Sequence, residues 1–161
     1  MGRLGVKMAR RKLGLAAIVG GRPLNSLVTT NVTNPSDAHA DHFITRDGVT
    51  FAGSHLVVDF WEAEGLDNKD RIEQAMRDAV DVAGATLLHI HLHTFTPSGG
   101  ISAVAVLAES HISVHTWPER GYAAFDVFMC GNAEPRKALA ALERAFTPKR
   151  VVFGMHKRGV L

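Results

Sequence analysis

Between Thr86 and Cys130 the chain is a succession of strand-like runs parted by turn signals, and it leaves no room there for a helix. Thr86 to Thr94 alternates, with Leu88, Ile90 and Leu92 on one face and His89, His91 and His93 on the other. Thr96-Pro97-Ser98-Gly99-Gly100 turns the chain. Ile101 to Ala108 is apolar, and His111 to Thr116 reads as its continuation. Trp117-Pro118-Glu119-Arg120-Gly121 is a second turn, and Tyr122 to Cys130 is a further strand. A chain with this centre must build a mainly antiparallel sheet.

The flanks supply what covers it. Ser54 to Trp61 reads as a strand. Asp67 is the expected cap of a following helix, with Asp70 in its first turn. Ile72, Ala75, Met76, Ala79, Val80 and Ala83 then form one apolar helical stripe, which Gly84 ends. Pro135 suits the first turn of a second helix, with Ala138, Leu139, Leu142, Ala145 and Phe146 on its apolar side. Val151 to Met155 closes as a last strand. The order is β-α-β-β-β-α-β. With one stripe per helix, both helices should cover the same face, giving an α+β fold, a two-layer α/β sandwich. The other face is then free for a use such as a dimer contact.

Charge divides the chain. Residues 1–36 hold six Lys or Arg and no acid, whereas the remaining 125 sum to −4. Residues 1–40 read as a basic, flexible extension, and residues 41–161 as the folded domain. The run Leu13 to Val19 is far too short to span a membrane, and its basic lead only faintly resembles a signal peptide. Met8 is an alternative start. The acidic body argues against nucleic acid as a partner. The lone cysteine excludes an internal disulfide and suits a reducing compartment, so the cytoplasm is expected.

Three groups of residues could carry chemistry. Glu109-Ser110-His111-Ile112-Ser113-Val114-His115 places serines, histidines and an acid together at a strand end, as nucleophilic chemistry requires. No Gly-x-Ser-x-Gly elbow surrounds either serine. His89, His91 and His93 lie about 6.5–7 Å apart along one face. Adjacent members could share a metal with help from another strand, though a His-rich polar or interface face is the plainer reading. Cys130 is either a small buried hydrophobe or, at its strand end, a catalyst.

The run Leu107-Ala108-Glu109-Ser110-His111-Ile112-Ser113-Val114-His115-Thr116-Trp117-Pro118-Glu119, with Gly121-Tyr122-Ala123-Ala124 and Cys130-Gly131 after it, closely resembles the prokaryotic S-adenosylmethionine decarboxylase family. The resemblance extends from about Gly53 to Gly159. It includes Gly53-x-His55 with Asp59, Gly84-Ala85-Thr86, and His156-x-Arg158-Gly159. It implies a self-cleaving precursor. Ser110 would attack the carbonyl carbon of Glu109, and the chain would part between Glu109 and Ser110 into a β chain of 109 residues and an α chain of 52. Ser110 would become a pyruvoyl group that forms a Schiff base with the substrate amine and serves as electron sink. No metal or pyridoxal phosphate is required.

The resemblance also assigns roles. His115 matches the proton acceptor of processing and Ser102 a processing serine. Cys130 matches the proton donor of decarboxylation. Glu119 matches the acid on the ribose hydroxyls of the substrate. Phe95 sits where the family uses an aromatic ring against adenine, with one extra residue in the turn that follows. The implied product feeds aminopropyl groups to spermidine synthesis, and the implied assembly is a homodimer or higher, with sites near subunit interfaces. Two other readings use the same residues. The same pyruvoyl chemistry would serve ornithine or arginine, and an unprocessed metal-binding module would use the histidines.

Overall fold

Alternation along the strands and single stripes on the helices sort the side chains onto two sides of one sheet. The structure, a computed structural model, describes residues 42–161. The basic extension expected over residues 1–40 lies outside the described residues. A small hairpin, β1 (Ile44–Arg46) and β2 (Val49–Phe51), precedes β3 (Gly53–Trp61). There follow α1 (Lys69–Ala83), β4 (Leu87–Thr94), β5 (Ile101–Leu107), β6 (Ser110–Trp117), β7 (Tyr122–Cys130), α2 (Pro135–Phe146) and β8 (Arg150–Arg158). The six longer strands make one sheet in the order β4-β5-β6-β7-β3-β8, with every neighbouring pair antiparallel. The expected α+β sandwich is the observed one.

All six stripe residues of α1 are buried, as are Ala138, Leu139, Leu142 and Phe146 of α2. They cover the inward side chains of the central strands, among them Leu56, Val58 and Phe60 of β3 and Phe125, Val127 and Met129 of β7. The Phe125 ring lies 5.1 Å from Phe60 and 5.7 Å from Phe146, so it joins sheet to helix. Burying a side chain of this size stabilises the fold by about 1.5–3 kcal/mol.

Four details differ from expectation. Ile101 to Thr116 is two strands, not one, because Ala108 and Glu109 reverse the chain and pair Leu107 with Ser110. Neither residue is a turn former, so composition gives no warning. Leu88 is exposed rather than inward, because the pairing of β4 with β5 slips between Leu87 and His89. Hairpin β1–β2, absent from the sequence reading, turns at Asp47-Gly48, both with positive φ.

The fourth difference is the helix cap. Asn68, not Asp67, caps α1, its side-chain oxygen accepting from the Arg71 N–H at 3.0 Å. An amide oxygen one residue on does the same work. We expect Asn68→Ala to cost about 1 kcal/mol in urea unfolding, and Asp67→Ala only a few tenths. Equal losses from the two would contradict this cap.

Candidate active site

With the helices on one face, the other face of the sheet collects the polar side chains. Register sets them in rows. His89, Val106, His111, Phe128, His55 and His156 are successive cross-strand partners. In a second row His93, Ser102, His115, Ala124, Asp59 and Val152 follow one another likewise. Ser102 therefore has a histidine on each side. Its hydroxyl lies 2.7 Å from Nδ1 of His115. This pair opens into a cavity of about 530 Å³ lined also by Phe95, Trp117 and Glu119. The Phe95 ring meets His93 edge-on at 4.7 Å. Glu119 sits in the 3₁₀ turn Pro118–Arg120, which Gly121 ends at φ 55. Gly100 is needed here, because a Cβ would come within 2.9 Å of the Thr116 carbonyl oxygen.

A second cluster lies at the far end of β6. Glu109, Ser110 and Cys130 line one cavity of about 180 Å³. Glu109 adopts φ 63, the left-handed region that a side chain disfavours. Ser110 Oγ accepts from the Cys130 N–H at 3.0 Å. Burial pushes the Cys130 thiol above its ordinary value, hydrogen bonding with Ser110 lowers it, and the Glu109 charge raises it again; the net shift is upward. The group is thus kept as a thiol through neutral pH.

The structure brings Glu109, Ser110 and Cys130 together, and separately Ser102, His115, Phe95 and Glu119. It does not bring the two sets together within one chain. Ser110 and His115 share β6 five residues apart, which on an extended strand is about 16–17 Å.

The terminal motifs support the first cluster. Gly53 pairs with Cys130 on one side and Arg158 on the other, and a Cβ there would meet the Met129 carbonyl oxygen at 2.8 Å. An Arg158 N–H donates to His55 Nδ1 at 3.1 Å. His55 then carries its proton on Nε2, which faces Asp126 Oδ1 at 3.2 Å. At the opposite margin Tyr122 stacks between Trp117 and Trp61, and its hydroxyl donates to Asp59 at 2.6 Å.

Sequence reasoning gave Tyr122 and His42 no role and read His93 only as one of a row of histidines. His93 faces Ser102, which the alternation of β4 and β5 would show once their register was known. Tyr122 holds Asp59. His42 brings Nε2 to 3.0 Å from Glu109 Oε1. Nothing in the sequence marks His42. Among the described residues no group of three or more His, Cys, Asp or Glu is placed to hold a metal ion. Of the β4 histidines, His91 and His93 line a cavity of about 250 Å³ together with Ser102 and His115.

The class these features define is a two-layer sandwich with a serine-bearing reversal at one end of a strand and a Ser-His pair at the other. The comparisons give it a family. The family model for S-adenosylmethionine decarboxylase matches residues 54–159. An S-adenosylmethionine decarboxylase proenzyme of Thermomicrobium roseum is 41% identical over 110 residues, 68% of this chain and 95% of that protein. One from Thermotoga maritima is 47% identical over 110 residues, 66% of this chain and 84% of that protein. The crystal structure of the adenosylmethionine decarboxylase from Aquifex aeolicus superposes with a TM-score of 0.61 at 32% identity, covering 69% of this chain and 93% of that one. The chain belongs to the S-adenosylmethionine decarboxylase family.

Tyr122, the one tyrosine of the chain, has its pKa pushed from 10.0 to about 12, first by its hydrogen bond to Asp59, then by burial and the carboxylate charge. Its folded value lies above the unfolded one. The contribution is complete below pH 10 and is lost as pH rises from 10 to about 12. Phenolate absorbance should accordingly show one titration near 12, moved toward 10 by Asp59→Asn. A wild-type midpoint at 10 would remove the hydrogen bond from this account.

Proposed function

We propose that the chain is an S-adenosylmethionine decarboxylase proenzyme that cuts itself between Glu109 and Ser110, into a β chain 1–109 and an α chain 110–161. The observation that carries this is the Glu109-Ser110 reversal itself, within a family match spanning residues 54–159. The residue before the serine is forced to φ 63, and the serine hydroxyl is fixed by the Cys130 N–H. The site fits the pyruvoyl group the family implies, because Ser110 opens strand β6 beside a cavity rather than in the core.

Ser110 Oγ attacks the carbonyl carbon of Glu109 and turns the amide into an ester. A base takes the Ser110 α-proton, the Cβ–Oγ bond breaks, and the Glu109 carboxylate leaves. One water then converts the dehydroalanine to the pyruvoyl group with release of ammonia. We assign the base to His115, oriented by Ser102. At about 16–17 Å along its own strand it cannot reach Ser110 of the same chain. The pair therefore acts across a homodimer in which two helix-free faces meet, the partner's His115 serving this chain's Ser110.

In decarboxylation the pyruvoyl group supplies the electron sink for the electrons left by the carboxylate. Cys130, kept protonated by burial, returns a proton to the substrate carbon. Glu119 receives the ribose hydroxyls and Phe95 the adenine. The product amine supplies aminopropyl groups for spermidine synthesis. No observation favours ornithine or arginine as substrate, nor a metal-binding module. The single free thiol is compatible with a reducing compartment such as the cytoplasm. Among the described residues, no helix is long and apolar enough to cross a membrane.

Two experiments test this. Ser110→Ala should remain one chain of 161 residues on denaturing mass spectrometry, whereas Cys130→Ala should still cleave but lose about 10²–10⁴-fold in CO₂ release from S-adenosylmethionine. Cleavage of the Ser110→Ala chain would end the proposal. Co-synthesis of Ser110→Ala with His115→Ala should restore cutting of the His115→Ala chain, which alone stays whole. If that chain stays whole in the mixture too, the shared site is wrong.

A further inference from the structure

We infer that His42 is a positioning residue for self-cleavage, gripping the Glu109 carboxylate so that the scissile carbonyl stays beside Ser110. This rests on the reading that the Glu109-Ser110 bond is cut. His42 lies ahead of the stretch the family model matches, residues 54–159, so the family pattern does not supply it. It lines the same cavity as Ser110 and Cys130. Its Nε2 is 3.0 Å from Glu109 Oε1. On its other side, a Cβ on Gly131 would lie 3.8 Å from Nδ1, so the imidazole sits between the scissile turn and the Cys130-Gly131 corner.

The turn needs such a grip. Glu109 at φ 63 occupies a region that a side-chain-bearing residue disfavours, and surrounding contacts must hold it there. The Ser110 half is held by the Cys130 N–H and by pairing with Leu107. The Glu109 half is held by His42, and among the described residues no other side chain pairs with this carboxylate. Charge gives the contact a second use. When the Cβ–Oγ bond breaks, Glu109 acquires a second carboxylate beside the first. His42, facing the first carboxylate through Nε2, offsets part of the repulsion between the two. The charged or titratable groups facing His42 across the cavity are Glu109 and Cys130.

The test follows conversion of the full-length chain by timed mass spectrometry after cell-free synthesis. Both partners are about half exposed, 51% and 50%, so His42→Ala should slow cleavage by a modest factor, about three- to tenfold. His42→Arg, which presents an N–H donor to the carboxylate, should recover most of the rate, and His42→Leu should not. In a Glu109→Gln background His42→Ala should add less than it does alone, because the carboxylate charge is already gone. Cleavage of His42→Ala at the parental rate would overturn the inference. So would His42→Arg as slow as His42→Ala, or losses that simply multiply in the double variant. If Glu109→Gln stops cleavage altogether, the arginine comparison decides. Should the parental chain itself stay whole, the Glu109-Ser110 reading falls, and His42 is not the reason.

Discussion

Two helices with one apolar stripe each can cover only one face of a six-stranded sheet, and the rest of this structure depends on that shortage. Strand alternation sends Leu56, Val58, Phe125 and Val127 under the helices. The same period sends His55, His111, His115 and Asp126 the other way. A face of this kind has no core to fill, so it is free to hold hydroxyls, imidazoles and carboxylates in fixed rows. Val57, Val104 and Val106 on it are exposed, so the face carries apolar surface as well.

Much of this was legible beforehand because it depends on period alone. The α1 stripe from Ile72 to Ala83 and its stop at Gly84 are buried and capped as the spacing predicts. The illegible parts depend on register or on contacts distant in sequence. Ala108-Glu109 carries no turn former, so the break between β5 and β6 left no trace. Leu88 looked inward until the slip at Leu87 turned it out. His93 and His115 flank Ser102 only because three strands align, and no spacing along the chain encodes that. The motif residues were recognisable as a set, but their division between the two ends of β6 was not.

The two ends differ in kind. At the Ser102–His115 end, side chains bond to one another above the sheet, beside a wide cavity lined with aromatic rings. At the Ser110 end, the backbone does the holding: a strained turn, a Cys130 N–H and a glycine at position 53 that admits no Cβ. The division suits the proposed labour. Binding and proton transfer need side chains with reach. Breaking the chain needs a carbonyl carbon that cannot drift from its nucleophile.

The length of β6 has a kinetic consequence. A rigid strand keeps Ser110 and His115 of one chain apart for as long as the sheet persists, so on the proposed roles folding alone would not complete the machinery. If the partner's His115 is required, maturation becomes bimolecular at low concentration. Its half-time then falls as the chain accumulates and stops falling once every chain is paired. A freshly made chain would thus be inert by geometry, and the protein would carry a gauge of its own abundance in the five residues between a serine and a histidine.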